Sequence, residues 1–178
     1  MKLHNFKQDL EESKIIQEFD FWNDIYREFF GDNITIVSNP SDGQGQRLGV
    51  DRIIVSPGSS ACIRIDEKIR KISPVTGRIY DDILLEFLSS KEHNKPGWVC
   101  KPLLADYIAY ANLPAGICYM LPVQPLQKAW KVNGKRWRER KEIPVRNEGY
   151  TTMCTPVPVN ELYPAMGKTL RIKFDPVK

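Results

Sequence analysis

The chain has 178 residues, 42% hydrophobic and 27% charged, with 26 Lys and Arg against 22 Asp and Glu. That length is ordinarily one domain, long enough to bury a substantial core. No run of 18 apolar residues occurs, so no transmembrane helix is expected, and residues 1–20 are too polar and acidic for a signal peptide.

The first predicted element is an amphipathic helix over about residues 9–30. Ile15, Phe19, Trp22, Tyr26 and Phe29 step by 4, 3, 4 and 3, which places them on one stripe. Gly31 is placed to end it, before a turn at Asp32-Asn33. Glu18 lies at the border of that stripe, about 60° from its centre at helical spacing. Residues 34–38 read as a first strand, and 39–46 as a loop with two glycines.

Two further strands follow, over 49–55 and 62–70, joined by a turn at 56–60. In the second, Ile63, Ile65 and Ile69 point one way and Arg64, Asp66, Lys68 and Arg70 the other. Glu67 then falls on the isoleucine face, where it would cap the strand or pair with a cation. Residues 80–88 form another strand, with Glu86 in an apolar row beside Asp82, Leu84 and Leu88. Such a carboxylate is ordinarily paired; Arg64 and Arg70 are the candidate partners.

A turn at 95–98 leads to a second predicted helix. Pro102 suits its first position, and Leu103, Leu104, Tyr107, Ile108 and Ala111 form its core stripe. Residues 116–121 are almost continuously apolar, as in a buried strand. Pro122 closes that strand, and a short helix over 124–131 carries Leu126 and Trp130. Thr155-Pro156-Val157-Pro158-Val159 reads as an edge strand or extended segment. Gly167-Lys168-Thr169 lacks the leading glycine of a phosphate loop, because Leu162 stands in its place.

Asp51 opens one strand, and Asp66 and Lys68 share the polar face of the next. Two carboxylates and a lysine so arranged can hold a divalent metal beside a nucleophilic water. The pattern resembles the PD-(D/E)XK nuclease superfamily, whose motif is an acid opening one strand and acid-any-lysine on the following one. Asp51, Asp66 and Lys68 match; the proline is absent, since Val50 precedes Asp51. The resemblance covers about residues 9–132, because that superfamily's core runs helix, three strands, helix, strand. It implies an α/β fold with a restriction-endonuclease-like core, a central mixed β-sheet flanked by helices. Residues 1–178 would then be a single nuclease-like domain with a basic extension over 133–178.

Such a protein would be a metal-dependent endonuclease acting on DNA, with RNA as the second substrate class. Asp51, Asp66 and the backbone carbonyl of Glu67 would bind Mg²⁺, or Mn²⁺ as substitute. A glutamate from the first helix joins the metal in several branches of the superfamily, which makes Glu18 a candidate. Glu86 is another, alongside its ion-pair reading. Lys68 would orient the water and offset transition-state charge. Two other classes stay open: a non-catalytic nucleic-acid-binding or assembly protein on the same fold, and an unrelated α/β protein whose acids are surface charges. A homodimer is also left open.

Charge supports a polyanionic partner. Residues 1–33 carry a net charge of −4 and the remainder +8. Lys135, Arg136 and Arg138 cluster around Trp137, suiting a phosphate backbone and a stacked base. Gln44, Gln46 and Arg47 could touch nucleic acid from the loop before Asp51. A solvated surface and a plain connecting loop explain the same residues without any partner. Cys62, Cys100, Cys118 and Cys154 are widely spaced, with only His4 and His93 beside them. No structural zinc site follows, and reduced thiols point to a cytoplasmic protein, of phage-infected or bacterial cells if the nuclease resemblance is followed.

Overall fold

The strands sort into two separate sheets in a computed structural model, which describes residues 20–38, 48–72, 77–167 and 170–175. One compact unit gathers described residues between 20 and 80 with 103–123 and 170–175. The other gathers 81–102 and 124–167. Residues 81–102, expected within the nuclease-like core, thus fold together with most of the presumed extension.

The first unit holds a six-stranded mixed sheet in the order β1-β2-β3-β6-β7-β10. Its strands are β1 (Thr35–Ser38), β2 (Arg52–Val55), β3 (Cys62–Arg70), β6 (Tyr107–Asn112), β7 (Ile117–Pro122) and β10 (Leu170–Lys173). The β2–β3 hairpin is antiparallel with Arg52 opposite Ile65, whereas β3 and β6 run parallel with Asp66 opposite Ile108. Parallel neighbours need a long crossover, and residues 71–106 supply it. Helix α1 (Phe21–Phe30) contributes Trp22, Ile25 and Tyr26 to the core. The Trp22 and Tyr26 rings stack at 5.9 Å, and Phe29 meets Tyr107 edge-on at 5.7 Å. Gly31, at φ +93°, ends the helix as expected, its N–H bonding the Arg27 carbonyl at 2.7 Å. Ile15 and Phe19 lie outside the described residues.

The helix expected over 102–112 is instead strand β6. Every residue from Ile108 to Asn112 is buried, so both faces of the strand are covered and apolar side chains fill consecutive positions. Without alternation, a short apolar run has no period that separates strand from helix. The strand expected at 116–121 is present as β7.

The second unit is a four-stranded sheet, β5-β4-β9-β8, with two helices. Its strands are β4 (Asp82–Ser90), β5 (Lys95–Pro96), β8 (Ile143–Asn147) and β9 (Tyr150–Pro158). β9 is interior rather than an edge. Its pairing with β8 stops at Cys154, however, while that with β4 continues to Pro158. Pro156 and Pro158 therefore sit where β9 is locally unpaired on one side, and their missing N–H groups break no ladder there.

The helix expected over 124–131 runs on as α2 (Val123–Arg140), and α3 spans Val159–Met166. Gly134 does not interrupt α2. A Cβ at that position would lie 2.9 Å from the Trp130 ring, so the glycine admits a close-packed indole. Phe87, Trp130 and Trp137 then form a row with ring centroids 5.9 and 6.2 Å apart.

Candidate active site

Asp51 sits just before β2, where its N–H donates to the Ile65 carbonyl at 2.8 Å. Its Oδ2 accepts the N–H of Glu67 at 2.7 Å. That bond crosses the hairpin and holds the first acid beside Asp66. Lys68 Nζ pairs with Asp66 Oδ1 and lies 3.4 Å from the Glu67 carbonyl oxygen. The structure thus brings together both acids, the lysine and the backbone carbonyl, four groups that the sequence pattern singles out.

The cluster is drier than a solvated concave face. Asp66 is only 3% exposed. Burial raises the Asp51 carboxyl, and the neighbouring Asp66 charge raises it further. Lys68 and the Glu67 N–H pull the other way, and the outcome is a pKa of about 6. Two carboxylates crowded this way favour either a shared proton or a cation. Hard oxygen donors suit Mg²⁺ or Mn²⁺. Among the described residues no three His, Cys, Asp or Glu side chains gather at a metal-binding point, so the described donors are two carboxylates and one carbonyl.

Glu67 on the opposite face of β3 is buried. Its Oε1 accepts the Tyr26 hydroxyl at 2.7 Å and Arg52 Nε at 2.9 Å, while Oε2 has no partner. Burial lifts this carboxyl to about 7 even though Arg52 opposes the shift. Burial and the Glu67 charge likewise raise the Tyr26 hydroxyl and the Cys118 thiol. The side chain of Glu67 ties α1, β2 and β3 together while its N–H and carbonyl face Asp51 and Lys68. Alternation puts Glu67 among the isoleucines but does not name Tyr26 as its partner.

Gly49 is a supporting residue with no sequence signal of its own. Its φ is +68°, and a Cβ there would stand 2.9 Å from Leu103 Cδ2 and 3.2 Å from Asp66 Oδ2. Gly58 shares the left-handed backbone, at φ +77°, but faces open space. Alanine costs roughly 1–2 kcal/mol at either position from the backbone alone. Only Gly49→Ala should also shift Asp66, so its divalent-ion affinity should fall well below that of Gly58→Ala. Equal affinities in calorimetric titration would remove Gly49 from the site.

Glu18, Gln44, Gln46 and Arg47 lie outside the described residues. Glu86 belongs to β4 in the four-stranded sheet, not to the sheet carrying Asp51 and Asp66. Arg64, a candidate partner for Glu86, pairs with Asp106 at 3.1 Å. Trp137 is fully buried and donates its indole N–H to Glu161 at 2.7 Å, so its ring is not open to a stacked base. Arg136 pairs with the same Glu161 at 2.9 Å, and Arg140 pairs with its other carboxylate oxygen. Lys135 and Arg138 are exposed on α2.

No family model, curated protein or solved structure matches this chain. Among the described residues no helix is long and apolar enough to cross a membrane.

Proposed function

We propose that the protein is a metal-dependent nuclease that hydrolyses phosphodiester bonds, with DNA as its substrate. The observation carrying this reading is the pairing of Asp51 with a buried Asp66, with Lys68 held on that acid and on the Glu67 carbonyl. The order α1, β1, β2, β3 also agrees with the PD-(D/E)XK resemblance, as does a later strand returning beside β3. It departs at the expected second helix, because residues 107–112 form β6, and the crossover from β3 to β6 runs through β4 and β5.

Asp51, Asp66 and the Glu67 carbonyl would hold Mg²⁺. A divalent ion there supplies charge neutralisation at the scissile phosphate and a more acidic bound water. Lys68 places a fixed cation next to that point, oriented by Asp66 and the carbonyl. It would align the attacking water and offset charge on the pentacoordinate phosphorus as a P–O bond forms from the water, which gives up a proton, and the P–O ester bond breaks, its oxygen leaving as an alcohol after taking up a proton. The Glu67 N–H keeps the Asp51 carboxylate in place, so the site needs little rearrangement as charge develops.

Incubating purified protein with supercoiled, linear and branched DNA, and with RNA, in Mg²⁺, Mn²⁺ or EDTA tests this. Cleavage in either metal but not in EDTA is expected. No cleavage of any topology would leave a non-catalytic nucleic-acid-binding protein as the better reading.

A further inference from the structure

The cations of α2 divide into two groups once their partners are known. Arg136 and Arg140 both pair with Glu161 of α3, which also takes the Trp137 indole N–H. They fasten the helix to its own unit. Arg138 bonds Glu142 at 2.8 Å and lies 4.3 Å over the Phe87 ring, so it too has an internal role.

Lys128, Lys131 and Lys135 differ. They step by three and four residues, which sets them on one stripe of the helix, and all three are exposed. Leu126, Ala129 and Trp137 occupy the other side, in the core. Lys128 and Lys131 have no acidic partner among the described residues. Lys135 has only Glu139 at 3.9 Å, with both side chains largely in solvent. A helix dipole favours cations in the last turn, which accounts for Arg138 and Arg140 but not for Lys128 or Lys131 in the first half. Like charges three and four apart on a helix repel one another, and of the three lysines Lys135 alone has an acidic neighbour among the described residues to offset that repulsion.

We propose that the Lys128–Lys131–Lys135 face of α2 grips the phosphate backbone of duplex DNA. The inference rests on the nucleic-acid substrate proposed above and moves the contact surface away from Arg136 and Trp137. A row of three cations roughly one helical turn apart matches a repeating anion, where one small anion would engage only part of it. A membrane surface fits less well. A helix lying on lipid inserts an apolar face, and here that face is packed in the core.

The test is binding of a labelled mixed-sequence duplex across a KCl series in EDTA, where no cleavage can intervene. Lys128→Gln/Lys131→Gln/Lys135→Gln should weaken binding. It should also flatten the plot of log affinity against log salt by ~0.9 per lost contact, roughly 2.7 in all. Arg136→Gln/Arg140→Gln should leave the slope unchanged. An unchanged slope in the triple variant, or an equal loss per charge in the double variant, would overturn the assignment. So would wild-type protein that binds no duplex at low salt. Binding to anionic phosphatidylserine vesicles that the triple variant loses, with duplex binding intact, would reassign the face to membrane and also overturn it. Wild-type cleavage with Mg²⁺ alongside any of these outcomes would reject this face while leaving the nuclease reading standing.

Discussion

Asp66→Asn is expected to lose divalent-ion binding and cleavage together. The amide nearly preserves the shape of a side chain only 3% exposed, but it removes the negative charge that a hard cation requires. Lys68→Ala should behave differently. It leaves both carboxylates and the Glu67 carbonyl in place, so metal and DNA binding should persist while turnover falls by ~10²–10⁴-fold. The distinction follows from what each group does. In the proposed mechanism the acids would act in the ground state and the transition state alike, whereas the lysine would contribute mainly where charge develops on phosphorus. Lys68→Ala also strips a buried Asp66 of its cation, so this variant should be less stable than wild type without metal and recover when Mg²⁺ is added. Circular dichroism with and without Mg²⁺ separates that effect from lost catalysis, and Lys68→Gln supplies a longer, polar replacement for comparison. Asp66→Asn that cuts DNA at the wild-type rate would end the nuclease reading.

The hairpin that builds this site was legible because its signals are local. Ile63, Ile65 and Ile69 alternate with Arg64, Asp66 and Lys68, a two-residue period that fixes the strand and its polar face together. Gly31 marked the helix end for the same reason, by its freedom at positive φ. Segments whose structure depends on burial from both sides were not legible. Tyr107 to Asn112 carries apolar residues at successive positions, and only the neighbours β3 and β7 decide that it is a strand. The cations after Lys131 read as an extension beyond a short helix, yet α2 continues through Gly134, whose missing side chain makes room for Trp130. Trp137 shows the same limit. An aromatic among arginines suits a stacked base, but Glu161, 24 residues away, turns the indole inward. Partners distant in sequence decide each of these cases, and no periodicity carries them.

Arg52→Met is expected to cost roughly 1–2 kcal/mol at pH 8, because it leaves a buried carboxylate without its cation, and with Glu67 near 7 proton uptake caps the charge contribution at ~1.4 kcal/mol per pH unit above that value. Arg52 and Glu67 are only 13% and 1% exposed at their side chains, so solvent screening does little to soften the loss. The size of the deficit should depend on pH. Glu67 titrates near 7 in the folded protein, pushed up by burial against the opposing pull of Arg52; without that pull it rises further. A carboxyl whose folded pKa lies above its unfolded one binds protons more tightly in the native state, so stability is gained as pH falls through the folded value. Above both folded values the variant carries its full deficit. As pH drops toward 5, Glu67 is protonated in both proteins, the buried charge disappears, and the gap should narrow. Urea unfolding of metal-free protein at pH 8 and pH 5.5 measures this directly. Glu67→Gln in the Arg52→Met background has no charge left to bury, so the pH dependence assigned to Glu67 should vanish there. A deficit that stays constant, or widens in acid, would show that Arg52 stabilises the hairpin by some route other than its charge on Glu67.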